Sequence, residues 1–125
     1  MTISRRQARR QALFLLYQWD LSGQLIGSQY AGEIDPWARA VAEGVAERAD
    51  ELDGRITEAA EGWTADRLGA VERSALRVAV HELETREVPA EVAINEAVAF
   101  TKRYASEDGA RLVNGILGRI QREAA

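Results

Sequence analysis

Apolar positions recur at intervals of three and four along nearly the whole chain, and no stretch alternates apolar with polar as a half-buried strand would. That period predicts helices throughout. Ser4 stands as the N-cap of a first helix running to about Leu21, with Gly23 to stop it and Gly27 and Gly32 in the loop beyond. Asp35-Pro36 opens a second, proline occupying the first turn where its missing N–H costs nothing, and Val41 and Val45 carry it to about Arg48. A third spans Asp50 to Ala60 and is broken by Gly62. Thr64 is the expected cap of a fourth, whose core-facing stripe is Leu68, Val71, Ala75, Leu76, Ala79 and Leu83. Pro89 closes it, because the residue before a proline avoids helical geometry. A fifth, Glu91 to Tyr104, puts Ile94, Ala97, Val98 and Thr101 on one side and Asn95, Glu96, Ala99, Lys102 and Arg103 on the other. Ser106 caps the last, with Val113, Ile116, Leu117 and Ile120 buried and Arg111, Gly115, Gly118 and Arg122 opposite. The expected architecture is all-α, about six to seven helices in two small bundles, residues 1–61 and 62–125, forming one functional unit.

Composition removes most chemistry from consideration. The 125 residues are one domain's worth and need no disulfide or metal staple. Cysteine is absent and histidine occurs once, which excludes ordinary Cys/His metal sites and thiol chemistry and makes a reducing cytoplasm the expected location. No apolar run approaches the length of a membrane span, and the arginine-rich start leads straight into an amphipathic pattern, so it reads as mature structure rather than a secretory signal. His81 lies mid-helix without a neighbouring nucleophile and is expected to be structural. The pairs Glu82/Glu84 and Glu107/Asp108 are so close in sequence that they point to different sides of their helices, as solvated acidic faces do. Gly109 to Gly115 has neither dinucleotide nor P-loop spacing, and Lys102, the sole lysine, reads as a surface cation. No catalytic residue, metal site or cofactor is expected.

Charge is where the chain departs from an ordinary helical domain. Residues 1–19 hold four arginines and no acid, and residues 99–125 hold five basic residues against three acids. Between them, seven arginines face seventeen acids, within a net charge of −4. If the two ends meet, they form a phosphate-attracting face opposite an acidic one. Arg6, Arg10, Leu13 and Tyr17 recur at four, three and four residues, so two guanidinium groups and a phenol ring share a stripe, with Arg5 and Arg9 on its flank. Guanidinium forks pair with phosphate oxygens and a flat ring receives an unpaired base, which is what single-stranded nucleic acid requires. The plainer reading is a solubilising basic face.

The residues Val71-Glu-Arg-Ser-Ala-Leu-Arg-Val-Ala-Val-His-Glu-Leu83, Val88-Pro89, Val92-Ala-Ile-Asn-Glu-Ala-Val98, Lys102 and Leu112-Val-Asn-Gly-Ile-Leu117, with Arg5-Arg-Gln-Ala-Arg9 and Ala12 through Leu16-Tyr17, closely resemble the NusB family of transcription antitermination factors. The resemblance spans almost the whole chain. It implies an all-helical pair of bundles and a non-enzymatic role: binding boxA-type single-stranded RNA together with NusE, a small-subunit ribosomal protein, within the RNA polymerase antitermination complex, above all in ribosomal RNA operons. By matching position it assigns RNA contact to Arg5, Arg6, Arg9 and Tyr17, beside the Arg10 of the helical stripe, and places Lys102, Asp108, Arg111 and Leu112 along the same groove. Glu72, Arg73 and Glu82 match positions near the NusE contact. Leu112 departs from the family's usual phenylalanine, losing a stacking partner worth about 1–3 kcal/mol per base, and His81 stands where a tyrosine is frequent. Asn95 and Asn114 are expected to bond neighbouring helices as buried amides. Two other readings stay open: the NusB-like domain of a ribosomal RNA cytosine methyltransferase, which the stop at Ala125 and the lack of cysteine disfavour, and a helical module that binds only protein. A homodimer also stays open, while no membrane partner is expected.

Overall fold

Helix caps set the element boundaries in the computed structural model, which describes residues 3–124. Ser4 accepts from the Gln7 N–H while the Gln7 side chain accepts from the Ser4 N–H, and this reciprocal cap starts α1 (Arg5–Ser22). Gly23, at φ 71°, ends it in the left-handed conformation that a Cβ disfavours. The Asp35 carboxylate accepts from the Ala38 N–H at 3.0 Å to begin α2 (Pro36–Glu47), and α3 (Ala49–Ala59) follows after a single residue. Ser106 Oγ accepts from the Gly109 N–H at 2.9 Å and begins α6 (Glu107–Ala124). Between α3 and α6 lie α4 (Ala70–Thr85) and α5 (Ala90–Tyr104).

Thr64 does not cap the fourth helix. A 3-10 turn, Ala65–Arg67, intervenes, and α4 starts five residues later than the first helical residue Thr64 would cap, at Ala70. Apolar residues mark the turn as well as the helix, since Ala65 and Leu68 are both buried, so periodicity alone runs the two together. At its other end α4 stops at Arg86, a non-glycine residue at φ 57°, two residues before Val88-Pro89.

α4 is the central element: it packs against each of the other five helices, and every residue from Ser74 to Val80 is buried. A single stripe therefore understates its burial. One continuous apolar cluster includes Leu15, Leu16, Leu52, Ile56, Leu76 and Leu117, drawn from α1, α3, α4 and α6. Full burial of each such side chain contributes about 1.5–3 kcal/mol. Polar groups that this packing encloses are paired across helices. Asp20 of α1 receives Arg73 at 2.5 Å and Arg77 at 2.8 Å, and Arg77 also reaches Asp53 of α3 at 2.7 Å. Burial alone would push the Asp20 carboxyl up, but the two guanidinium groups hold it below its ordinary value. Arg73 also donates to the carbonyls of Ala65 and Leu68, tying the 3-10 turn down. Among the described residues, no helix is long and apolar enough to cross a membrane.

Candidate nucleic-acid interface

α1 and α5 approach one another at the surface through side chains, Arg6 with Glu96 and Phe14 with Phe100. Arg6 and Arg10 from α1 and Lys102 and Arg103 from α5 line a groove of about 350 Å³. The two basic stretches are thus brought together in part, since Arg111, Arg119 and Arg122 line other hollows. Glu96 is the one carboxylate in the lining, and Arg6 donates to it at 2.9 Å while remaining 70% exposed. Among the described residues Arg10, Lys102 and Arg103 have no such close carboxylate; the nearest to the Lys102 amine is Glu107, at 3.8 Å. Positive charge within a concave surface concentrates the field that draws an anion in.

Phe100 and Tyr104 give the groove an aromatic floor, with Phe14 packed against both. Phe14, Phe100 and Tyr104 pack edge to face or tilted, with centroids 5.4, 5.0 and 4.8 Å apart. Tyr104 is 38% exposed, and the Arg103 guanidinium lies 5.4 Å from its ring centroid while Nε donates to its hydroxyl at 3.1 Å. Tyr17 is half-buried in an adjoining hollow that shares Phe100 and Tyr104 with the groove. A flat ring beside several cations is what stacking of an unpaired base next to a phosphate requires.

The other expected contact residues divide between surface and interior. Arg5 turns away from the groove, its guanidinium 4.2 Å above the Trp37 ring of α2. Arg9 also borders the groove, but it and Glu82 are almost wholly enclosed: their side chains are each 5% exposed and joined by bonds of 2.8, 3.0 and 3.1 Å. The flank position of Arg9 on a helical wheel is correct, but α4 covers that flank. Arg73 is likewise spent on Asp20, and Glu72 lies half-buried, so close to Gly69 that a methyl there would sit 2.8 Å from its Oε1. Glu72, Arg73 and Glu82 therefore do not form one outward patch. Lys102 also borders a second hollow, of about 390 Å³, with Arg111 and Asn114. Asp108 is exposed and pairs with Arg111, and Leu112 is half-buried beside a third hollow. Asn95 and Asn114 are both exposed, so the expectation of buried amides fails: each falls on the outward side of its helix.

A family model described as the NusB family matches residues 6–122. The chain belongs to the NusB family. A relative from Rubrobacter xylanophilus named transcription antitermination protein NusB is 42% identical over 122 residues, covering 92% of this chain and 88% of its own. The solved structure of T. maritima NusB superposes with a TM-score of 0.86 at 32% identity, over 98% of this chain and 94% of that one. A crystal structure of antitermination factors NusB and NusE in complex with dsRNA contains a chain that superposes with a TM-score of 0.82 at 29% identity, over 95% of this chain and 96% of that one.

Two features of this NusB-family chain lay outside the residues picked from sequence. Arg103 and Tyr104 complete the groove, and the signal for them was present in the run Lys102-Arg103-Tyr104 closing a helix. The second is a charged cluster on the far side, where Arg48 pairs with Glu51 and Glu84, and Arg55 also pairs with Glu84. Arg48 Nη1 lies 3.0 Å from His81 Nδ1. Burial, and then the Arg48 charge, hold the imidazole below its ordinary value, against Glu87, Glu82 and Glu84, which act the other way. A folded value below the unfolded one, about 6.5, means that the stability from a neutral His81 is complete above that pH and is lost as pH falls through the folded value. The melting temperature is expected to drop between pH 7 and pH 5, and His81→Gln, which can still accept from Arg48, should flatten that drop. Equal slopes in the two proteins would assign it to other groups.

Proposed function

We propose that this chain is an antitermination factor that works by scaffolding, without bond chemistry, holding single-stranded boxA-type RNA in the α1–α5 groove while NusE binds beside it, in support of ribosomal RNA transcription. The observation that carries the reading is the meeting of Arg6 and Arg10 with Lys102 and Arg103 over the Tyr104 ring. Guanidinium and ammonium groups would take the phosphates, and Tyr104 with Tyr17 would supply the stacking surface that Leu112 does not. Membership in the NusB family and the likeness to a NusB chain seen with NusE and RNA support the partners. That complex holds double-stranded RNA, whereas the aromatic floor here favours unpaired bases.

Arg9 and Glu82 enter this reading as positioning residues, fixing α1 on α4 so that Arg6 and Arg10 face α5. Arg73 similarly holds the 3-10 turn. Of the three residues on α4, Glu72 is the one proposed to touch NusE, from the half-buried edge beside Gly109. A basic ribosomal protein suits the acidic middle of the chain.

Coupling between two ligands is reciprocal. Titrating a labelled boxA-like RNA with and without saturating NusE, and NusE with and without RNA, should give the same cooperativity factor, expected at about 5–150-fold. Single-stranded RNA should outcompete a duplex of the same sequence. NusE binding with no RNA affinity under any condition would leave a protein-only module.

A further inference from the structure

Between the C-terminal end of α3 and the body of α6 lies the third hollow, about 340 Å³, bordered by Arg111, Arg119 and Arg122. Glu61 is the one carboxylate in its lining. It shares Arg111 with the hollow of Lys102 and Asn114, which shares Lys102 with the α1–α5 groove. The three form a chain of depressions linked by shared basic residues.

The arginines around this hollow are not equivalent. Arg119 is held from two sides, by Glu61 and by Glu123 at 2.9 Å, so its charge is occupied. Arg111 pairs only with Asp108, and both side chains are open to solvent, at 72% and 88% exposure. Exposed pairs of this kind hold weakly and yield to a competing phosphate. Among the described residues Arg122 has no carboxylate partner, and its guanidinium folds back over Gly118, where a methyl would sit 3.3 Å from Nη1. Gly115 lines the hollow in the middle of α6, and a methyl there would meet nothing within 4 Å. No packing contact explains a glycine in that helix interior, but its bare backbone permits close approach of another chain.

We infer that the RNA track continues past Lys102 along α6, with Arg111 and Arg122 holding the phosphodiester backbone of the same strand on either side of Gly115. This rests on the reading of the α1–α5 groove as an RNA site. It predicts a footprint longer than that groove.

The test compares oligoribonucleotides of about 5 and about 12 nucleotides, within the usual range of single-strand site sizes. In fluorescence anisotropy, Arg122→Ala should weaken the longer RNA three- to tenfold, leave the shorter unchanged, and make the log–log salt slope of the longer shallower by about 0.7. Gly115→Glu, which places a carboxylate on the open face of α6, should show the same selective loss. Parent-like binding of the longer RNA by both variants overturns the extension, as does an equal loss for both lengths, which would mark a general field effect. Arg6→Glu/Arg10→Glu separates the two readings. If it loses the shorter RNA while Arg122→Ala behaves like the parent, only the extension falls; if it too binds normally, the groove reading falls first.

Discussion

Glu82→Ala is expected to destabilise the fold by about 3–5 kcal/mol, a large part of the roughly 5–15 kcal/mol that holds a domain of this size together. The reason is the company left behind. Arg9 meets the Glu82 carboxylate through three bonds of 2.8–3.1 Å, and each side chain is 5% exposed, so removing the carboxylate strands a guanidinium with little access to water. The pair itself need not be worth much, because desolvation offsets most of its attraction. A double variant, Arg9→Met with Glu82→Leu, should therefore recover most of the lost stability. Urea unfolding of the parent and the two variants measures both effects. A loss below about 1 kcal/mol for Glu82→Ala would mean that water or another acid takes the place of Glu82.

Arg6→Glu/Arg10→Glu should reduce affinity for single-stranded RNA by at least about 100-fold near 0.1 M salt, with the fold retained. Each contact with a single-strand phosphate contributes about 0.7 to the log–log salt slope, so loss of two should flatten it by about 1.4. Reversal does more than removal, because the new carboxylates join Glu96 at the rim and repel the backbone. Both arginines are exposed, and Arg6 gives up only a surface pair with Glu96, so stability should change little. Binding measured over a salt series, alongside circular dichroism and a thermal melt, decides it. Unchanged affinity in a folded variant would place the RNA on another face.

Local rules wrote the helix ends plainly. Ser4 with Gln7, Gly23, Asp35-Pro36 and Ser106 each act within a few residues, so the boundaries of α1, α2 and α6 are readable from the chain alone. Tertiary pairing is not readable in that way. The period places Arg9 on a flank of α1, but only the docking of α4 makes that flank interior, through a partner 73 positions away. Arg77 and Glu82 blur the pattern on α4 for the same reason: they look like wet-face residues and are buried because each has an opposite charge waiting. Asn95 and Asn114 mislead in the other direction, as amides judged by type when their helical position put them outside. The groove was half visible, since its cations are plain in the charge distribution while its floor depends on Phe100 and Tyr104 being backed by Phe14 from another helix.

Because α4 is enclosed by all five of its neighbours, neither end of the molecule owns a private interior. The wall that bears the cations and the opposite wall around His81 lean on the same rod, through Arg9–Glu82 at one point and Arg48–Glu84 at another. A change at either contact therefore bears on the rod that both walls share.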